Sequence, residues 1–323
     1  MNMQSSLFPV NSMQTSKHYP KVLVVTPSYN QGAFIRDTIE SVLSQDYPNL
    51  EYLVIDGGST DETVNILREY DNDPRFRWTS EPDEGQADAI HKGFMLGESD
   101  ILAWLCSDDY YLPDAISTAV STMTAKNAQF VFGNTVLINK NSGFLRYLVH
   151  SDFHPKQFKL RLPISQPACF WTRELYEKTG GIDLSLVQIM DRDLFWRMSR
   201  FVSFVYIPSF LSVVRIYKET KTSQLFGTVQ RDETAMSEKR MGESLPLYFA
   251  QYLPYYEHLP IGLQYFLRGV FTLYNTPLRF VHAPRYVSSR IALNVWWYLK
   301  SLPHRGKPVS ELINSLPSNQ NHS

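Results

Sequence analysis

Residues 21–61 read KVLVVTPSYNQGAFIRDTIESVLSQDYPNLEYLVIDGGSTD, and this stretch decides the fold. Val22-Leu23-Val24-Val25 is a short, β-branched apolar run that stops at Thr26-Pro27, the pattern of a strand buried on both faces. Ile35, Ile39 and Val42 then recur at i, i+4 and i+7 with Leu43 beside them, which predicts an amphipathic helix ending before Tyr47-Pro48. Tyr52-Leu53-Val54-Ile55 predicts a second buried strand, closed by Asp56-Gly57-Gly58. Ser59 and Glu62 stand at capping-box spacing and predict a second helix running through Val64, Leu67 and Tyr70. Working outward, Phe76-Arg77-Trp78 reads as a third strand, 87–96 as a third helix, and Ile101 to Leu105 as a fourth strand. Such alternation predicts an α/β domain around a mainly parallel, Rossmann-like sheet, whose ligands bind beyond the carboxyl ends of the strands.

The polar clusters obey that rule. Thr26 to Asn30, Asp56 to Asp61, and Ser107-Asp108-Asp109 each follow directly on an apolar run. No GxGxxG fingerprint and no GxxxxGK[ST] phosphate loop is present, which disfavours dehydrogenase and P-loop kinase readings. Taken alone, Asp56 is an ordinary turn residue. Asp108-Asp109 is sharper, because adjacent carboxylates repel unless a cation or hydrogen-bond donors compensate, and a hard divalent ion accepts carboxylate together with phosphate oxygens. Asp191, in Met190-Asp191-Arg192-Asp193-Leu194-Phe195-Trp196, falls at the start of a helix whose packed face is Leu194, Phe195 and Met198. It suits either a helix cap or a proton acceptor. His150 and His154 flank Asp152 without a periodicity that would build a metal site, Trp104 and Trp196 read as core, and Gln166-Pro167 is a candidate border of an acceptor site.

Composition bounds the function. The chain has 323 residues, 43% hydrophobic and 20% charged, with a formal net charge of −1, which excludes disordered, collagenous and strongly nucleic-acid-binding classes. Its length predicts one large domain with an appendage. Cys106 and Cys169 stand far apart with no CxxC spacing and fit a reducing compartment. The first twenty residues lack an apolar signal core and nowhere do eighteen apolar residues run together, so a cytoplasmic location, with contact at the inner face of the membrane, is the expectation.

Five spaced motifs resemble glycosyltransferase family 2, with its GT-A nucleotide-sugar fold. They are VTPSYNQGAFIRDTIESVLSQDYPNLEYLVIDGGSTDET, SEPDEGQADAIHKGF, LAWLCSDDYYLPDA, Gly180-Gly181-Ile182-Asp183 and MDRDLFW, in family order, within roughly residues 21 to 225. The resemblance implies an inverting, metal-dependent transferase that moves a sugar from a nucleotide diphosphate sugar, expected to be UDP-linked, to a saccharide or lipid-linked acceptor in surface polysaccharide or glycolipid synthesis. It implies that Thr26, Pro27, Tyr29 and Asn30 line the nucleotide pocket, that Asp56 reaches the base, and that Asp83 borders it. Asp108 would contact the ribose side, Asp109 would hold Mg2+ or Mn2+, and Asp191 would be the catalytic base. Arg215 with Lys221 and Thr222 resembles a late loop that closes over the diphosphate. Two departures stand out: Gly57 replaces a second acid, and Tyr217 replaces a histidine, a poor exchange for a metal ligand. A catalytically inactive nucleotide-sugar-binding assembly subunit is the competing reading, although it needs none of Asp108, Asp109 and Asp191.

The resemblance and composition together divide the chain into a flexible segment 1–20, a GT-A domain 21–245, an aromatic and basic helical extension 246–308, and a mobile tail 309–323. In the extension, Tyr265, Phe266, Phe271, Trp296 and Trp297 alternate with Arg268, Arg279, Arg290, Lys300 and Arg305, with no acid between Glu257 and Glu311. That composition suits helices lying on an anionic membrane, and equally a subdomain packed on the core.

Overall fold

The computed structural model describes residues 19–150, 164–221, 233, 236, 239, 296–297, 299–313 and 316. The strands are β1 Val22–Ser28, β2 Leu50–Asp56, β3 Phe76–Ser80, β4 Ile101–Trp104, β5 Tyr110–Tyr111, β6 Phe130–Asn139, β7 Phe144–Leu148, β8 Cys169–Thr172 and β9 Val205–Ile216. Helices α1 Ile35–Leu43, α2 Thr63–Arg68, α3 Gln86–Leu96, α4 Ala115–Lys126, α5 Arg173–Lys178 and α6 Met190–Met198 accompany them. One sheet runs β3-β2-β1-β4-β8-β6-β9-β5, with β7 paired to β6. The β3-β2-β1-β4 half is parallel throughout, whereas β8 enters antiparallel to both β4 and β6.

Alternation along β1 explains why it is buried on both faces. Leu23 and Val25 point into the layer formed with Leu53, Leu102, Trp104, Ala87, Phe94 and the α6 residues Leu194 and Phe195. Val22 and Val24 point the other way, against Ile35, Ile39, Val42, Leu67 and Ala119. Two covered faces are what a parallel sheet requires. Trp104 lies stacked at 6.0 Å on Phe195 and edge-on to Trp171, so it is core, as is Trp196.

Three expectations need correction. The capping box does not form: the Ser59 hydroxyl and amide both donate to Asp56, and α2 begins only at Thr63, whose hydroxyl donates to Asp61. A buried carboxylate at the end of β2 outcompetes the helix for that serine. Arg215 lies within β9 and not in a loop, because the largely apolar Phe210-Leu211-Ser212-Val213-Val214 run continues through it paired with β6. The expected tail boundary at 309 falls inside packed structure: Val309 and Leu312 are buried with Phe144, Tyr147 and Trp297. There the Phe144 amide donates to Lys307 O (2.8 Å), the Gly306 amide to Phe144 O (2.9 Å) and the Val309 amide to Ser142 O (3.0 Å). Residues 1–18, 246–295 and 317–323, with Asp152, His154 and Thr222, lie outside the described residues. Among the described residues, no helix is long and apolar enough to cross a membrane.

Candidate active site

The loops after β1 and β2 are laced together at the carboxyl edge of the sheet. Asn30 takes a left-handed backbone (φ 53°), a conformation its short amide side chain tolerates. Its amide donates to Ser59 Oγ (2.7 Å) and its Oδ1 accepts the Thr60 amide (2.9 Å). The Gln31 amide donates to Thr63 Oγ1 and the Gly32 amide to Asp61. Tyr29, 60% exposed, stands open to solvent above this lacing, and Pro27 is buried in β1 beneath it.

Asp56 ends β2 fully buried, its carboxylate accepting the Ser59 amide (2.8 Å), the Ser59 hydroxyl (2.5 Å) and the Ser80 hydroxyl (2.6 Å). Asp83 lies close by, with Oδ1 accepting the Gly85 amide (2.8 Å), and burial raises its acid above the ordinary aspartate range. A Cβ at position 57 would stand 3.0 Å from the Asp83 carboxylate. Gly57 therefore leaves room for Asp83 where a second acid would crowd it. Thr26 is not brought to the surface: it is fully buried and its Oγ1 accepts the Tyr52 hydroxyl (3.0 Å) inside the sheet.

Asp108 and Asp109 follow β4. Thr38 of α1 donates to the carbonyls of Ser107 (2.9 Å) and Asp109 (2.7 Å), fixing the turn from below. Burial raises both acids, Asp109 well above the usual value, and repulsion from Asp108 adds to it. The Tyr217 hydroxyl donates to Asp108 Oδ2 (3.0 Å) and the Arg215 amide to Asp109 Oδ1 (3.0 Å). The Arg215 guanidinium is committed elsewhere: Nε to Asp108 O, Nη1 to Lys140 O and Ser142 Oγ, Nη2 to Asp37. It also lies 4.8 Å from the Phe34 ring centroid. Arg215 thus braces the two acids from behind.

Donor atoms of Cys106, Asp108 and Asp109 lie within 4.8 Å of one another. A divalent cation fits that set, because it would relieve one buried and one half-buried carboxylate that desolvation and repulsion between them hold toward protonation. The oxygens suit Mg2+ or Mn2+; the sulfur adds a softer donor that the motif alone did not bring to notice.

Asp191 lies in the first turn of α6, with Oδ1 accepting the Arg192 amide (2.7 Å). Burial raises its acid, opposed by that amide and by the charges of Arg192 and Lys221. Lys221 is itself lowered by burial, partly offset by the charges of Glu233 and Asp191. Its ammonium donates to Gln86 Oε1 (2.9 Å), and Gln86 Nε2 donates to Cys106 Sγ (3.2 Å). A polar chain therefore runs from Cys106, beside the β4 acids, through Gln86 to Lys221, on which the charge of Asp191 acts. Gln166, the candidate acceptor border, is buried and donates to Trp104 O, so it supports β4. His150 is likewise buried, its amide held by Asn134.

Residues 23–182 match the model of glycosyl transferase family 2. Escherichia coli chondroitin synthase is 26% identical over 195 residues, 60% of this chain and 28% of that protein. The chain spans 27–32% of the length of the first curated relatives it matches. Among solved structures, S. aureus TarS 1-349 in complex with UDP-GlcNAc superposes with a TM-score of 0.59 at 14% identity, covering 72% of this chain and 69% of that one. The mannosyltransferase PcManGT from Pyrobaculum calidifontis, in complex with GDP-Man and Mn2+, gives 0.54 at 17% identity, covering 92% and 85%. The fold of this chain is accordingly the mixed α/β architecture of these proteins, with a mainly parallel central sheet.

Proposed function

The chain belongs to glycosyl transferase family 2, and from that premise we propose that it moves a glycosyl group from a nucleotide diphosphate sugar to an acceptor hydroxyl with inversion at the anomeric carbon. The observation that carries this reading is the gathering of a laced nucleotide-side loop pair, the Asp108–Asp109 pair with Asp109 buried, and the half-buried α6 acid Asp191, whose charge reaches Cys106 beside that pair.

Asn30, Tyr29, Asp56 and Asp83 form the nucleotide side, with Asp56 held in one orientation by Ser59 and Ser80. Asp108 serves the ribose side. Asp109, with Asp108 beside it, holds Mn2+ or Mg2+, which when bound offsets negative charge on the departing diphosphate. Lys221 adds a cation for the same diphosphate, whereas Arg215 acts on it indirectly by bracing Asp108 and Asp109. Asp191 accepts the acceptor hydroxyl proton as the oxygen attacks the anomeric carbon from the face opposite the diphosphate. Its raised pKa suits the task, because a stronger base takes that proton more readily.

UDP is the expected nucleotide, and the fold neighbours bound to UDP-GlcNAc and GDP-Man make both diphosphates necessary probes. A saccharide or lipid-linked acceptor in surface polysaccharide or glycolipid synthesis fits the relationship to chondroitin synthase. Exposed Trp296, Leu299 and Leu302 beside Lys300, Arg305 and Lys307 support contact with an anionic membrane while Trp297, Val309 and Leu312 pack on the core.

Thermal shift across UDP, GDP, dTDP and CMP, each with Mn2+, Mg2+ or EDTA, tests the donor site. One diphosphate at 100 times its Kd, with metal, should stabilise the fold by about 2.7 kcal/mol. Transfer is then assayed with that nucleotide's sugars. No shift with any nucleotide refutes the donor site. Binding without transfer to any saccharide or lipid-linked acceptor favours the inactive assembly subunit.

A further inference from the structure

The segment beyond β9 does more than continue the chain. Glu233 is 6% exposed, and its carboxylate accepts three consecutive backbone amides: Val187 (2.6 Å, Oε1), Gln188 (2.7 Å, Oε2) and Ile189 (3.0 Å, Oε2). Those residues run directly into α6, whose second residue is Asp191. The N-cap position of α6, Ile189, has no side-chain cap of its own. Amides at the start of a helix lack intrahelical acceptors, and negative charge there is favourable. The Glu233 carboxylate accepts one such amide, that of the N-cap Ile189, and places negative charge just ahead of the helix, while also holding the Val187 and Gln188 amides before it.

We propose that Glu233 is a positioning residue for Asp191, clamping the 187–189 backbone so that the α6 acid is held at a fixed place relative to the β4 acids. The inference rests on the assignment of Asp191 as the base. Glu233 and Lys221 belong to one stretch of chain, and the charges of both Glu233 and Asp191 act on Lys221. Hydrogen bonds to an ionised acceptor are the stronger kind, and three of them on a backbone leave that loop little freedom.

The test uses the full chain and four variants: Glu233→Ala, Glu233→Gln, Asp191→Asn, and Asp191→Asn combined with Glu233→Ala. Loss of the clamp should lower kcat about 10- to 100-fold, the scale of an ångström-sized misplacement, while donor KM and nucleotide affinity stay within about twofold of the native values, since substrate contacts are intact. Glu233→Gln keeps one acceptor oxygen and should fall between the native chain and Glu233→Ala. In the Asp191→Asn background, removing Glu233 should cost nothing further, because it acts through that carboxylate. Hydrogen exchange should quicken at the amides of Val187, Gln188 and Ile189. Should Glu233→Ala fail to fold, Glu233→Gln must still lose kcat at constant donor KM. Native kcat in both Glu233 variants, or an equal further loss in the Asp191→Asn background, overturns the inference. A native chain that transfers no sugar overturns the functional reading itself, whereas an active chain indifferent to Glu233 overturns only the clamp.

Discussion

Asp191 and Gly57 show how single positions divide stability from chemistry. Asp191→Asn should reduce transfer by about 10²–10⁴-fold, the usual contribution of a positioned base, and leave nucleotide affinity unchanged by calorimetry. The same change should raise the melting temperature at pH 7. The folded acid is raised by burial, so its favourable contribution is present below the unfolded value of about 3.9 and is lost as pH rises through the folded value. Asparagine escapes that loss, and its advantage should vanish on acidification below about pH 4. A variant that melts no higher at neutral pH would contradict the burial of the charge. At position 57, Gly57→Asp puts a carboxylate against Asp83, already raised by burial and facing the charge of Asp56. Nucleotide affinity should drop by about tenfold, or ~1.4 kcal/mol; unchanged binding would remove Asp83 from the nucleotide side. Asp56, Asp108 and Asp109 stood out as candidates because each follows a patterned apolar run, whereas Asp191 stood out through its place at the start of a helix and the family resemblance. Thr26 was misread for the same reason, since the run does not reveal that the Tyr52 hydroxyl, from the neighbouring strand, claims its oxygen.

At the scale of elements, β9 and the β6–β7 turn form the back wall of the acid pair. Arg215 spans them, bonding Asp108 O, Lys140 O, Ser142 Oγ and Asp37 with one planar fork. Arg215→Lys preserves the charge but cannot reach all four acceptors. Unfolding by urea should show a loss of about 0.5–1.5 kcal/mol, the net worth of a hydrogen bond in a part-buried site, and titration should show weaker enhancement of nucleotide binding by Mn2+. A variant with native stability and native metal response would refute the bracing role. The predicted elements α1, β2, β3, α3 and β4 appear within a residue or two of their expected bounds, and β1 runs three residues past its expected end, to Ser28. Helix α2 does not, because its start depends on a competition for Ser59 that is settled by Asp56.

Across the whole molecule, Trp297, Val309 and Leu312 return to the sheet and pack against β6, β7 and β9. Trp297 lies 5.3 Å from the Tyr147 ring and 5.5 Å from Phe210, and the backbone at 306–309 pairs with the turn that holds Arg215. Trp297→Ala should cost about 3–5 kcal/mol, typical of a truncated core tryptophan; a loss within about 0.5 kcal/mol, the surface-substitution range, would mean that the segment does not dock in solution. The opposite prediction holds for its exposed neighbours. Trp296→Ser with Leu299→Ser should leave the melting temperature unchanged and weaken sedimentation with anionic vesicles. Equal vesicle binding by this variant would dismiss the membrane reading. The sequence had left core packing and membrane contact open, and compatible, for this segment; among its described residues Trp297 is buried in the core and Trp296 is exposed.

The sequence by itself determined the parallel half of the sheet, the loops that carry the polar clusters, and the family, because these depend on periodicity and local spacing. Only the tertiary structure decided what each polar group meets. Arg215 became a brace, Gly57 became room for Asp83, and Glu233 reached back to the start of α6. Hydrogen bonds and charge interactions act over a few ångströms in space, and residues separated by 44 to 107 positions, as in Ile189–Glu233 and Asp108–Arg215, leave no periodic trace of their meeting.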